Sequence, residues 1–405
     1  MKRLMSGLPR LGLLVALMTL GAQAAAPPGP FFNGFEQNID GWLPGFDRDI
    51  VRKPSGYSNA GGYASGVPSA AGRWHARLVD LTGCMLQCDG PFTRWGGYSS
   101  TFPGGGYLTQ LDIYLDVNWA ATHPDARFDW LSAINQSTPP SPPTHRRDWA
   151  FNAGTQLIGD PVPGFWVNAA TNSTRGSSFP ENPCPSPADP ISNPPAGCRA
   201  PVKITTSGWY TFRHTFRAGS FVGCPESTCL VVDFDIVNRS GATVAHWTIR
   251  SNQDPMSLVG GNRYGWFSNE EIPELAIDNS LRIGLCRQGH GDGEMHGHDS
   301  HKHKVHFHKK SPCNDRDDED DNVQDDDEDN GSHFRSNAIT ASSFGVDEDS
   351  QTITIVGTGF HNGLPVGFTM MAVDNGSLAP GVFSLVLTDG YTVVGSLESG
   401  GIVIE

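Results

Sequence analysis

Leu111-Asp112-Ile113-Tyr114-Leu115-Asp116-Val117 is the stretch that decides the fold class. Leu111, Ile113, Leu115 and Val117 share one side of an extended chain, and Asp112, Tyr114 and Asp116 take the other, which is the period of a half-buried strand. Val232-Asp233-Phe234-Asp235-Ile236 repeats the alternation. The turn-like Asn238-Arg239-Ser240-Gly241 follows it, and then Thr243 to Ile249, so this pair predicts a hairpin. Trp209 to Phe216 sets Tyr210, Phe212, His214 and Phe216 on a single aromatic face. No extended i, i+3, i+4, i+7 apolar pattern occurs beyond the first 24 residues, while 48 Gly, 30 Pro and only 18% charge favour turns and short strands. The expected class is all-β, with one large β-sandwich over residues 27–287. The Pro-rich stretches Thr138 to Pro143 and Phe179 to Pro201 read as surface loops.

The amino terminus reads as a signal peptide, residues 1–24. Lys2, Arg3 and Arg10 precede the apolar run Leu11 to Leu20, and Ala22-Gln23-Ala24 supplies a small-x-small cleavage site. The run falls short of the roughly 20 apolar residues a membrane span needs. A secreted or periplasmic protein with no membrane insertion after cleavage is therefore expected. In such a compartment eight cysteines, an even set, predict disulfides. The close neighbours are Cys84 with Cys88, Cys184 with Cys198, Cys224 with Cys229, and Cys286 with Cys313. Sequential pairing is the simplest of many connectivities.

Of the formal charge of −15, residues 290–333 carry 14 Asp and Glu against 5 Lys and Arg, or −9. No basic surface suited to phosphates stands out, which argues against nucleic acid as a partner. Residues 288–335 hold so few apolar side chains that a disordered His-rich and acidic linker is expected. Its histidines His296, His298, His301, His303, His306 and His308 recur two apart, and neutral imidazole suits Zn, Cu or Ni. The run from Asp315 to Asp329 offers oxygens to Ca, more weakly, because it lacks the glycine and terminal glutamate of an EF-hand loop. A solvated polyampholyte is the alternative. Strands resume after the linker as a small β module over 336–405, at Thr352 to Val356, Val366 to Val373, Phe383 to Leu387 and Gly401 to Ile404. Asp374-Asn375-Gly376 and Asp389-Gly390 form its turns.

Several motifs carry a resemblance. Thr93-Arg94-Trp95-Gly96-Gly97-Tyr98, Gly104 to Tyr114, Gly260 to Phe267, Leu275 to Asn279, and the opening Gly34-Phe35-Glu36 with Gly41-Trp42 resemble exported bacterial jelly-roll proteins of the concanavalin A-like lectin type. The segments Gly357 to Phe368 and Phe383 to Tyr391 look like a small β module of bacterial surface proteins. The resemblance implies a jelly roll over about residues 31–286 and carries no catalytic set onto this chain.

Jelly rolls of this kind bind glycans by stacking sugar faces on aromatic rings and fixing hydroxyls with amides and carboxylates. Trp95, Trp130, Trp149, Trp166 and Trp266 each stand near a polar residue and are the candidates for an extracellular glycan or surface polymer. Each would serve equally well as core filling. The cluster His145-Arg146-Arg147-Asp148 reads as an ion-paired loop. Two other classes stay open, a structural or adhesive surface protein and a carbohydrate-active enzyme. Against the enzyme, neither Glu-x-Asp-x-x-Glu, nor Gly-x-Ser-x-Gly, nor His-Glu-x-x-His is present.

Overall fold

A computed structural model of the chain describes residues 30–60, 62–80, 90–124, 126–137, 144–155, 162–172, 201–286, 288–297, 300–309, 321–346, 350–376 and 379–404. Residues 1–24, expected to be a signal peptide, both Pro-rich stretches up to residue 200, His298, and Cys84, Cys88, Cys184, Cys198 and Cys313 lie outside the described residues. Strand dominates the rest, and among the described residues no helix is long and apolar enough to cross a membrane. The opening stretch forms the strand Tyr107–Leu115 and then departs from the alternation. Asp116 accepts a hydrogen bond from Trp119 N at 3.1 Å and caps the single helical turn Val117–Ala120. A capping carboxylate thus outweighs the alternation at its last residue.

Two antiparallel sheets pack face to face. The spatial order of the first is Thr243–Pro255, Cys229–Asn238, Gly208–Gly219, Tyr107–Leu115, Ala276–Gly284, Trp74–Asp80 and Arg48–Pro54, with Phe31–Asn33 also paired to Ala276–Gly284. The order of the second is Val202–Ile204, Phe165–Asn172, His145–Thr155, Arg127–Gln136, Val259–Ser268, Phe92–Thr93 and Trp42–Leu43. The expected hairpin sets Phe234 opposite Trp247, closed by Asn238 N donating to Ala242 O at 2.9 Å. Tyr210, Phe212, His214 and Phe216 are all buried. Phe151 of the second sheet meets Phe212 and Phe234 of the first at centroid distances of 5.1 Å, in edge-on contacts that large rings favour. The all-β sandwich is therefore the observed architecture.

The expected linker is not observed among the described residues of 288–335. Gly289–His296, Lys302–Lys309, Asn322–Asp327 and the start of His333–Val346 are strands of one nine-stranded sheet, which the four later strands complete with Ser399–Ile404. Alternation is the physical reason. Along Lys302–Lys309, His303, Val305 and Phe307 are buried, and along Asn322–Asp327, Val323, Asp325 and Asp327 are buried. Polar residues occupy inward positions there, so low hydropathy concealed a period of two.

That sheet is rolled. Thr392–Ser396 and Ser399–Ile404 lie at opposite ends of its strand order yet are joined through Leu397 and Glu398 alone. A flat nine-stranded sheet would set its edges about 38 Å apart at ~4.8 Å per strand. Three Cα steps reach only about 11 Å. The edges therefore curl together, with Glu398 N donating to Glu294 O at 2.8 Å and Leu397 N to Gly381 O at 2.9 Å. The interior holds Phe307, Phe334, Ile353, Phe368, Met370 and Leu385.

Of the cysteine pairs, Cys224–Cys229 is a disulfide with its Cα atoms 5.9 Å apart, and Cys286 is also disulfide-bonded.

Candidate functional site

A concavity of about 460 Å³ lies at one end of the second sheet. Two backbone features build it. Gly265 separates Tyr264 from Trp266, and a Cβ at this position would stand 2.4 Å from Trp95 and 2.6 Å from Trp130. Only glycine lets two core indoles press beneath the strand while its neighbours project outward. The second feature is the turn Arg94-Trp95-Gly96-Gly97, closed by Gly97 N donating to Arg94 O at 2.9 Å. Trp95 has φ of +53° and Gly96 of +81°. A tryptophan in the left-handed region costs roughly 1–3 kcal/mol and persists because the indole is locked in the core. The result is that Arg94 stands exposed and Tyr98 half-buried on the rim.

Phe46, Phe92, Tyr98, Tyr264 and Trp266 supply the aromatic lining, and Phe46 is 87% exposed. Tyr264 and Trp266 meet edge to face at 6.2 Å. Behind them His145 lies parallel to Tyr264 at 6.3 Å with its Nε2 3.0 Å from Asp148 Oδ2, while Asp148 Oδ1 accepts from Trp266 Nε1 at 3.4 Å. Burial, followed by the nearby Asp148 carboxylate, holds the Tyr264 phenol above its ordinary pKa, so it stays a neutral hydroxyl donor.

No family model, curated protein or solved structure matches the chain. The groove must be read from its own chemistry.

Of the five tryptophans expected to touch a ligand, Trp266 alone lines the groove. Trp95, Trp130 and Trp149 are completely buried, so for these three the core-filling alternative holds. Each occupies an inward position, where large rings fill the gap of about 10 Å between packed sheets. Trp166 is half-buried beside Lys203, whose Nζ sits 5.4 Å from the ring, with two strands between it and Trp266. His145 to Asp148 open the strand His145–Thr155 instead of forming a loop. The ion pairing is present, since Arg146 Nε and Arg147 Nε reach the two oxygens of buried Asp254 at 2.7 and 2.6 Å.

The described histidines of the metal expectation do not come together. His303 is buried with Nδ1 3.2 Å from Asp325 Oδ1, whose other oxygen accepts from Tyr391 Oη at 2.7 Å. His301 pairs with Asp327 at 3.0 Å and His296 with Glu398 at 2.9 Å, while His306 and His308 take the opposite face of their strand from His303. Among the described residues no group of three or more His, Cys, Asp or Glu is placed to hold a metal ion. Nearby, Ser332 Oγ lies 2.7 Å from His361 Nε2, and His361 Nδ1 lies 2.6 Å from Asp389. This order resembles a hydrolytic triad, but the burial is inverted: Ser332 is 9% exposed, and the Asp389 side chain is 38% exposed. Asn362 Nδ2 also donates to Ser332 Oγ at 3.0 Å, so the chain of bonds ties three turns together.

Proposed function

We propose that the protein is a secreted, non-catalytic binding protein that recognises an extracellular glycan or surface polymer in the groove at Trp266. The observation carrying this reading is the convergence of Trp266, Tyr264, Tyr98, Phe92 and Phe46 on one open concavity of about 460 Å³. Flat rings suit the apolar faces of sugars, and the polar tips around them suit hydroxyls. Glycoside hydrolysis is disfavoured by spacing. Asp148 and Asp129 are the carboxylates on this face of the two central strands, yet Asp148 is opposite Ala133 and Asp129 opposite Asn152. Four ladder positions separate them by about 13 Å, beyond the roughly 5–10 Å that paired glycosidase carboxylates require.

A glycan array probed with the intact chain, followed by calorimetry on the hits, tests the reading. Trp266→Ala should weaken binding roughly 10- to 100-fold with the near-ultraviolet dichroism of the remaining aromatics preserved. Absence of any glycan ligand, or full affinity in the variant, would overturn it.

A further inference from the structure

We propose, building on the glycan reading of the same groove, that its ligand is an acidic polysaccharide whose sugar rings bear carboxylate or sulfate groups, with Arg94 as the anion anchor. The chain as a whole has a net charge of −15. The groove departs from that background, because no carboxylate is among its lining residues and Arg94 is. The guanidinium of Arg94 stands 5.3 Å from the Tyr98 ring and 5.9 Å from Phe92. Arg263 covers Tyr98 at 4.8 Å and Tyr264 at 5.3 Å, and its Nη1 donates to Asn135 Oδ1 at 3.0 Å. Tyr98 thus lies close to two guanidinium groups, an arrangement that adds positive charge beside the aromatic lining.

The nearby acids stand outside the lining. Asp148 is engaged by His145 and Trp266, and Asp47 adjoins Phe46 in sequence without lining the groove. No carboxylate of the described residues forms an ion pair with Arg94. An exposed guanidinium resting on aromatic rings keeps its outer edge for a planar anion, which it can hold through two parallel hydrogen bonds. The turn with Trp95 in the left-handed region fixes where the Arg94 side chain leaves the backbone, so part of the ordering is already done before a ligand arrives. A neutral glycan would use the rings and leave the guanidinium idle.

Calorimetry on the full chain with hexagalacturonate, a sulfated carrageenan hexasaccharide and neutral cellohexaose separates the cases. At least one acidic hexamer should bind roughly tenfold or more tightly than cellohexaose. That advantage should vanish in Arg94→Gln, partly return in Arg94→Lys, and shrink as salt rises from roughly 50 to 500 mM. Whichever acidic hexamer shows the gap identifies carboxylate or sulfate as the anion. Cellohexaose binding as tightly as both acidic hexamers, or an Arg94→Gln protein that keeps the gap, would overturn the acidic preference and leave the glycan reading standing. No binding by any of the three, with the array also blank, would overturn both.

Discussion

The sandwich and the rolled sheet solve the same burial problem with different side chains. The sandwich fills its interior with rings: Trp130, Trp149, Phe128, Phe151, Phe212 and Phe234 are all wholly buried. The rolled sheet buries fewer rings and sets His303, Asp325 and Asp327, each hydrogen-bonded, along two of its strands, whereas the sandwich places buried polar groups such as His214 and Asp254 among or beside its rings. Alternation of direction, not hydropathy alone, is what makes a strand, and an inward position tolerates a polar group once its partners are in place.

The largest test of this contrast is Phe151→Ala. It removes a ring that contacts Phe212, Phe234 and His214, and it should cost about 4 kcal/mol of sandwich stability through the cavity left behind. Hydrogen exchange on the intact chain reads each region separately, so the loss should appear in the sandwich strands and spare Gly289–His296. Next comes Asp325→Ala, which takes the Asp325 acceptor from the buried His303 and from the Tyr391 hydroxyl and should cost the rolled sheet about 3 kcal/mol. Equal protection in variant and wild type would show that this buried cluster contributes nothing.

These two expectations also show what the sequence discloses. Leu111 to Leu115, the hairpin at Asn238 and the strands from Thr352 onward were readable because apolar residues mark their inward side. His303-Lys304-Val305-His306-Phe307 carries the same alternation, but a histidine at an inward position made it resemble solvated chain. For the groove, Trp266 was legible as an aromatic beside polar neighbours, whereas Trp95, Trp130 and Trp149 carried the same local signal and face inward. The discriminating feature was the run Tyr264-Gly265-Trp266-Phe267, in which a glycine at an inward position frees its neighbours to project outward. Arg94, Tyr98, Phe92 and Phe46 come from separate segments, and only the turn at Trp95 and the strand pairing of Phe92 with Trp266 assemble them.

A third test uses pH. Burial lowers the His214 pKa to about 3, and burial together with Arg77 lowers that of His75 to about 3. The unfolded chain, with histidines near 6.5, takes up protons that the fold excludes, so each of these two histidines should withdraw stability as pH falls below about 6.5. At pH 5 the loss should be about 2 kcal/mol for each histidine. Burial raises Asp278 and Glu270 to about 8, and both work in the opposite sense, withdrawing stability as pH rises from about 4 towards 8. Relative to the wild type, urea melts of His214→Phe should recover the His214 share, about 2 kcal/mol at pH 5, while the shares of His75 and the buried carboxyls remain. An unchanged slope would show that His214 is charged in the fold.

The smallest expected effect sharpens the contrast most. Replacing His303, Asp325 and Tyr391 together by Leu, Leu and Phe removes both ends of each bond to Asp325 at once. Stability should return to within about 1 kcal/mol of the wild type, because neither donor to Asp325 is left facing an absent acceptor. A loss as large as that of Asp325→Ala would mean that the polar cluster specifies the packing of the rolled sheet.

The pairing of Gly289 with Ile404 has a consequence for biosynthesis. The strand Gly289–His296 meets one neighbour, Lys302–Lys309, almost as soon as it leaves the ribosome. Its other edge stays open until Ser399–Ile404 has been made, so the rolled sheet cannot close during synthesis of the strands between them. Throughout that interval an exposed edge is available to any passing strand. A segment of low hydropathy, dense in like charge, is well suited to wait in that state without aggregating.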